Sequence, residues 1–292
     1  MKEKMGFENF KNFILAEVQA RYGEDCEIRE QEVMKNNSQL LHGIGILRKD
    51  SNTSPTFYVE GYHEMYNNGM PMDELLRRLF DTIDENISST INLDLGWFRD
   101  FEKVKDKIVY RLINAAANKE FLTNVPYIPY LDLAVCFVVQ YKDDQLGEGT
   151  IFIHNNHAEM WDVTAEQLYE CAEKNSPILY PSMLVPMSSL ISGLVGGCKM
   201  YVLTNKQKCM GASAVLYSEE LKEFSDKCQT DIIMIPSSIH EWIVFPKSGS
   251  DSVDRILEMI EEVNRTCVDP EEVLSYRIYI YRAEMGQVRI AA

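Results

Sequence analysis

Residues 199–245 constrain the fold of this chain most strongly. Short apolar runs alternate there with polar turns and with one amphipathic segment that begins at Ser218. The order of these runs predicts strand, strand, helix, strand, strand, with the second strand over residues 212–216. Such an order is typical of a protein that packs helices on a β-sheet, and this stretch carries no recognisable catalytic signature.

Two apolar runs predict the centre of the sheet. Nearly every position of 131–139 and of 232–235 is apolar, which leaves no polar face for water. We therefore predict that both runs form central strands buried on two faces. The stripe of Val253, Ile256, Leu257 and Ile260 predicts a helix that covers the sheet nearby.

Further helical patterns occupy residues 6–22 and 72–87, and Thr164 with Gln167 forms a capping box at the start of another helix. These patterns predict an α/β or α+β fold, with a mixed β-sheet, or two, flanked by four or five amphipathic helices. We expect a smaller N-terminal region over 1–100 and a larger C-terminal region over 101–292; a single domain is the alternative.

The chain is acidic. Its 45 Asp and Glu against 29 Lys and Arg give a formal net charge of −16. Such a surface repels nucleic acid and anionic membranes, so we expect neither as a partner. Clustered carboxylates that imitate DNA are one alternative, and ordinary solvated helix faces are the other. The clusters are Asp81, Asp84 and Glu85; Glu258, Glu261 and Glu262; and Asp269, Glu271 and Glu272.

The cysteines and the apolar runs indicate a cellular location. The seven cysteines are odd in number and scattered, which is typical of a reduced protein and not of a disulfide framework. No run has the composition of a signal peptide or the length of a membrane span. We therefore expect a cytoplasmic protein.

The run from His154 to His157 is the best candidate for a metal site. Two imidazoles three residues apart at a strand end could share an ion, with Glu159 or Asp162 as a third ligand. The helical zinc signature His-Glu-x-x-His is absent. The alternative is a polar turn whose imidazoles are solvated or cap the following helix.

The run from Ser237 to Glu241 is the best candidate for a catalytic site. Ser238 and His240 could share a face after a buried strand, whereas Glu241 would then point away. No Gly-x-Ser-x-Gly elbow is present. The alternative is a β-turn whose hydroxyls and imidazole bind backbone groups.

Other sequence patterns give still weaker evidence for a functional site. The glycine-rich residues 193–197 precede a strand, whereas phosphate loops follow one, so we expect no nucleotide and no other cofactor. Cys198 and Cys209 flank a strand, but nothing in the sequence places a histidine beside either thiol. A tyrosine- and arginine-rich strand near the C-terminus could stack RNA bases or simply pack as a half-buried strand, and the acidity favours packing. Its residues are Tyr276, Arg277, Tyr279, Tyr281 and Arg282.

Several motifs carry a resemblance to a known family. They are Val33-Met34-Lys35-Asn36-Asn37 followed by Leu41-His42-Gly43, residues 201–206 with Gly211-Ala212-Ser213, residues 235–241, and Val273-Leu274-Ser275. Over nearly its whole length the chain resembles a domain-of-unknown-function family of Gram-positive gut anaerobes. The resemblance implies a bacterial cytosolic protein and supplies no catalytic residue.

The leading functional hypothesis is a non-catalytic binding or regulatory module that acts through protein–protein contacts, because no cofactor or catalytic signature accompanies a well-patterned fold. One alternative is a hydrolase-like or metal-dependent enzyme that joins Ser238 and His240 with His154 and His157. The second alternative is an acidic DNA mimic.

Overall fold

The computed structural model describes residues 4–88, 96–143, 147–189, 200–248 and 252–291. The chain divides into two compact units. The first unit contains the described parts of Met1–Lys35, Gln39–Leu95 and Lys142–Gly147, and the second contains those of Asn36–Ser38, Gly96–Tyr141 and Glu148–Ala292.

The first unit packs helices on a small antiparallel sheet of strand order β1-β2-β3. Its buried centre contains Phe10, Ile14, Ile46, Leu75 and Leu79. The elements are α1 (Phe7–Tyr22), β1 (Cys26–Met34), β2 (Leu40–Arg48), β3 (Thr56–Tyr58), α2 (Val59–Asn67) and α3 (Met72–Ser88).

The second unit carries two larger sheets, although the ends of β6 and β7 within Lys142–Gly147 belong to the first unit. Its elements are α4 (Phe101–Val104), β4 (Ile108–Asn114), α5 (Lys119–Leu122), β5 (Tyr127–Tyr130), β6 (Leu133–Asp143), β7 (Gly147–Phe152), α6 (Asn155–Trp161), α7 (Ala165–Leu179), β8 (Ser182–Pro186), β9 (Tyr201–Asn205), α8 (Glu219–Cys228), β10 (Ile232–Ser238), β11 (Glu241–Pro246), α9 (Val253–Thr266), β12 (Tyr279–Arg282) and β13 (Gln287–Ile290). One sheet has the order β13-β12-β10-β11-β9-β8, and the other has the order β4-β6-β5 with β7 paired to β6.

The predicted class is confirmed as α+β, since helices pack on antiparallel sheets. Both predicted central strands are confirmed as well, except that β6 begins at Leu133 and Leu131 is exposed in the preceding turn. Strand β6 lies between β4 and β5 with residues 133–139 buried, and β10 lies between β11 and β12. Helix α9 covers β10, because Ile260 packs with Ile233 and Ile235 and the half-buried Leu257 joins them.

One expectation about local structure was wrong. Residues 212–216 form no strand; a buried 3₁₀ turn spans Gly211–Leu216. The segment after Pro177 is regular, because α7 continues through that proline to Leu179 and β8 follows. Strand β8 is at the edge of its sheet, where a proline costs no ladder hydrogen bond.

No helix among the described residues is long and apolar enough to cross a lipid bilayer. Of the cysteines discussed above, Cys198 lies outside the described residues, together with the glycine-rich residues 193–197.

Candidate functional site

The tight turn after β9 presents Cys209. The side chain of Asn205, the last residue of β9, binds both backbone groups of Cys209: its Nδ2 donates to the Cys209 carbonyl at 2.8 Å, and its Oδ1 accepts the Cys209 N–H at 3.4 Å. The residues on either side, Lys208 and Met210, have φ of 54° and 53°. Two left-handed non-glycine residues around one exposed cysteine store backbone strain of about 1–3 kcal/mol each.

His240 is in the turn between β10 and β11 and is fixed through its backbone. Its N–H donates to Ser238 Oγ at 3.0 Å, and its carbonyl accepts the Thr204 hydroxyl at 2.8 Å. The Ser238 hydroxyl therefore binds the His240 backbone and not the imidazole. This is the turn geometry that the sequence offered as the alternative to a Ser–His pair.

The imidazole of His240 lies between two partners that are distant in the sequence. Its Nδ1 accepts the Met210 N–H at 3.1 Å, and its Nε2 lies 3.2 Å from Glu272 Oε1. Because Nδ1 is an acceptor here, we assign the ring proton to Nε2, which donates to the carboxylate. Met210 directly follows Cys209, so the same hydrogen bond places the thiol beside the ring.

Electrostatic interactions couple the thiol and the imidazole. Their mutual hydrogen bond is the largest influence on each: it lowers the pKa of Cys209 and raises the pKa of His240. Burial opposes both shifts, and the Glu272 carboxylate raises the pKa of His240 further. Both directions favour a thiolate beside an imidazolium, which is the reactive form of a cysteine.

Glu272 is held by its own turn. It ends the 3₁₀ turn Pro270–Glu272, and its carbonyl accepts the Ile239 N–H at 2.8 Å. Asn36 Nδ2 donates to the Glu271 carbonyl at 2.6 Å, and Asn37 Nδ2 donates to the carbonyls of Pro270 and Val273 at 2.8 and 2.7 Å. The backbone of the turn that carries the carboxylate is thus held from both sides.

His154 and His157 are at the start of α6. His157 Nδ1 accepts the His154 N–H at 3.2 Å, so this ring caps the helix as the alternative interpretation expected. The two ring centroids are 5.5 Å apart, and the His157 ring also packs on Phe98 and Trp161. Burial, and then the neighbouring His154, lower the pKa of His157.

The predicted metal site and the predicted meeting of the two turns stay predictions. Among the residues that the structure describes, no group of three or more His, Cys, Asp and Glu is arranged to hold a metal ion. Glu159 and Asp162 line a surface pocket of about 550 Å³ with Asn155. Within the described chain, the ring contacts of His154 and His157 are with aromatic residues, whereas those of His240 are with Met210, Cys209 and Glu272.

The acidic clusters and the tyrosine-rich strand are partly engaged within the protein. Asp84 pairs with Arg21 at 2.8 Å, Asp81 pairs with Arg77 at 3.4 Å, and Glu272 binds His240. Tyr279 and Tyr281 are buried. Their rings therefore pack in the core and offer no surface for stacking bases.

The site contains two residues that the sequence did not assign to it. Cys209 was considered as a nucleophile without a histidine partner, and Glu272 was considered as a member of an acidic cluster. The hydrogen bonds that bring them to His240 involve Met210, which directly follows Cys209, and Glu272 itself, and they span 30 and 32 residues along the chain. The two positive-φ residues that flank Cys209 are visible only in the backbone, so no sequence pattern could have pointed to this turn.

Comparison with known proteins gives a family and no activity. No curated protein and no solved structure matches this chain. A family model does match, over residues 7–283, which is nearly the whole sequence. The chain therefore belongs to a family of unknown function, DUF5688.

Proposed function

We propose that the protein is a cysteine-dependent acyl-transfer enzyme, a hydrolase, in which Cys209 is the nucleophile, His240 the general base and Glu272 the group that orients the imidazole. The observation that carries this proposal is the position of the His240 ring between the Met210 N–H and the Glu272 carboxylate. Nucleophile, base and orienting acid in this order are the parts that thiol catalysis requires.

The geometry supports a definite proton path. Since Nε2 faces Glu272, the nitrogen that takes the thiol proton is Nδ1. Protonation of Nδ1 breaks its hydrogen bond with Met210 and releases that backbone N–H. An N–H directly after a nucleophile can then bind the oxyanion that forms when the thiolate attacks a carbonyl carbon.

The later steps use the same groups. The imidazolium returns its proton to the leaving group as the tetrahedral intermediate collapses to a thioester on Cys209. Water, deprotonated by His240, then attacks the thioester and releases the acid, and the thiolate is restored. Each proton taken by the ring is given back, so the cycle needs no other reactant.

The pH dependence of thiol alkylation tests the pairing of Cys209 and His240. Iodoacetamide reacts with thiolates, and an ordinary thiol has a pKa of about 8.5. Because the His240 hydrogen bond lowers the pKa of Cys209, we expect its alkylation curve to lie below that value and to move to higher pH in His240→Ala. Mass spectrometry of the labelled peptides gives the rate at each cysteine.

The exposed Cys267 is the matched control within the same chain. Its alkylation curve should be the same in the wild type and in His240→Ala. Catalysis itself is tested with a panel of thioester, ester and peptide substrates: turnover should disappear in Cys209→Ala and persist in Ser238→Ala and Cys267→Ala. The proposal would be contradicted if the alkylation curve of Cys209 were the same in His240→Ala as in the wild type, or if Cys209→Ala still turned over a substrate.

The second candidate function is the non-catalytic binding or regulatory module predicted from the sequence. Exposed apolar side chains favour it, since Ile178 on α7 is 75% exposed and Met259 on α9 is 40% exposed. Such side chains fit a surface that contacts a protein partner. An ordinary alkylation curve of Cys209 and no turnover in the substrate panel would support this function instead.

A further inference from the structure

Arg111 is a half-buried cation that the proposed reaction does not yet use. Its neighbours Tyr110 and Leu112 point into the main core, so Arg111 points to the opposite face of β4. The strand is fixed on both sides of it, because the N–H groups of Tyr110 and Leu112 donate to Ser176 and Ser213 hydroxyls at 3.1 Å each. The backbone of β4 is therefore fixed at the position that carries Arg111.

The guanidinium is incompletely satisfied. It stacks on the Phe152 ring at 4.6 Å, and the described residues offer its buried Nε no hydrogen-bond partner. Burial lowers the pKa of Arg111, and no carboxylate of the described chain forms an ion pair with it. A buried donor without a hydrogen-bond partner costs free energy, the more so on a cation. We therefore expect a ligand that accepts a hydrogen bond from Arg111 Nε.

Strand β4 lies beside the turn that carries Cys209. The Leu112 N–H donates to Ser213 Oγ at 3.1 Å, and the Ser213 N–H donates to the carbonyl of Met210, the residue after Cys209, at 3.3 Å. In keeping with this arrangement, the charge of Arg111 helps to lower the pKa of Cys209, and the charge of Glu271 opposes the lowering of the pKa of Arg111. A planar guanidinium binds a carboxylate through two parallel hydrogen bonds. Arg111 is thus positioned to recognise an anion that approaches Cys209.

We propose that Arg111 binds a carboxylate of the substrate, so that the acyl compounds attacked by Cys209 are carboxylate-bearing ones. This inference rests on the proposed function, because it assigns the substrate class of that site. The reactive carbonyl group would be at the neutral end of such a substrate, and the Arg111 guanidinium would bind the carboxylate at its other end.

Two small alkylating reagents separate the two proposals. Iodoacetate and iodoacetamide attack the same thiolate with loss of iodide, and they differ in that iodoacetate carries a carboxylate. The ratio of their rates at Cys209 cancels the thiolate fraction and reports the attraction of the carboxylate alone. The whole wild-type chain is used, with rates read at each cysteine by mass spectrometry.

We expect the iodoacetate to iodoacetamide ratio to be about tenfold higher at Cys209 than at the exposed Cys267, the size of effect that a charge-assisted hydrogen bond gives. Arg111→Gln should remove the difference, and Arg111→Lys should keep part of it. Lys208→Asn is the matched control: it removes a cation next to Cys209 in the sequence, Asn tolerates the positive φ, and the ratio should not change.

The outcomes are distinguishable. Equal ratios at Cys209 and Cys267 in the wild-type chain overturn the Arg111 site even if Arg111→Gln does not fold. A ratio that falls in Lys208→Asn as much as in Arg111→Gln overturns it too, because the attraction would then come from the surface. If iodoacetamide labels Cys209 slowly, and at the same rate in His240→Ala as in the wild type, the proposed function itself is overturned.

Discussion

Gly211 is at the closest backbone approach in the site. A Cβ atom there would lie 2.1 Å from Thr204 Oγ1 and 2.5 Å from the His240 carbonyl oxygen. The second contact is with backbone and cannot be relieved by a rotamer change. We expect Gly211→Ala to lower the free energy of unfolding by about 1–3 kcal/mol and to slow Cys209 alkylation, because the turn that carries His240 has to move. Urea unfolding and labelling rates measure both effects.

Gly149 is the control for this substitution. Nothing lies within 4 Å of a Cβ atom built at Gly149, which belongs to the same unit of the chain. Gly149→Ala should leave the unfolding free energy equal or higher, since alanine restricts the unfolded chain. If both variants lost the same stability, the close packing of Gly211 would not explain its effect.

His240 could be predicted at the residue scale, and its partners could not. A serine, a histidine and an acid after a buried strand drew attention to this turn, and the structure does place His240 in a polar cluster. Cys209 and Glu272 join it because β9 and the turn at 270–272 come to the same end of the β10–β11 hairpin. That adjacency depends on strand order, which a single sequence does not specify.

At the scale of elements, strong patterns gave correct strands and helices. The apolar runs of β6 and β10 and the stripe of α9 each have one way to be buried. Weak patterns failed for physical reasons. The small residues of 212–216 fit a buried 3₁₀ turn as well as a strand, because an apolar run alone does not distinguish them.

The sheet and its covering helix should dominate stability. Ile233 is 6% exposed and packs beneath α9, so Ile233→Ala should cost about 2–5 kcal/mol. Leu257→Ala should cost the lower end of that range, because Leu257 is half-buried. Chemical unfolding of each variant measures these losses.

The histidines of α6 provide the comparison. His154→Ala should cost little, and His157→Ala should cost about 0.5–2 kcal/mol, because it removes a helix cap. Losses from both histidine variants as large as that of Ile233→Ala would show that these rings do more than cap a helix. Such a result would favour the metal site that the sequence predicts.

At the scale of the whole molecule, the chain passes between its two units more than once. The three residues Asn36–Ser38 belong to the second unit, although β1 and β2 on either side of them belong to the first. Asn37 is central to this segment: Asn118 Nδ2 donates to its Oδ1 at 3.0 Å, and its own Nδ2 binds the turn that carries Glu272. A division of the sequence at residue 100 would separate these groups.

Asn37→Gly tests whether this segment supports the site. Asn37 has φ of 59°, so glycine keeps the backbone conformation and removes the side chain. We expect a loss of about 1–3 kcal/mol of unfolding free energy. The Cys209 alkylation curve should also move to higher pH, because a loosened Glu272 supports the His240 imidazolium less well and the thiolate loses its partner.

Gln229→Gly is the control, since Gln229 also has positive φ, at 52°, and caps α8 away from these contacts; it should leave the curve unchanged. A stability loss in Asn37→Gly with an unmoved Cys209 curve would show that the segment holds the fold without positioning Glu272.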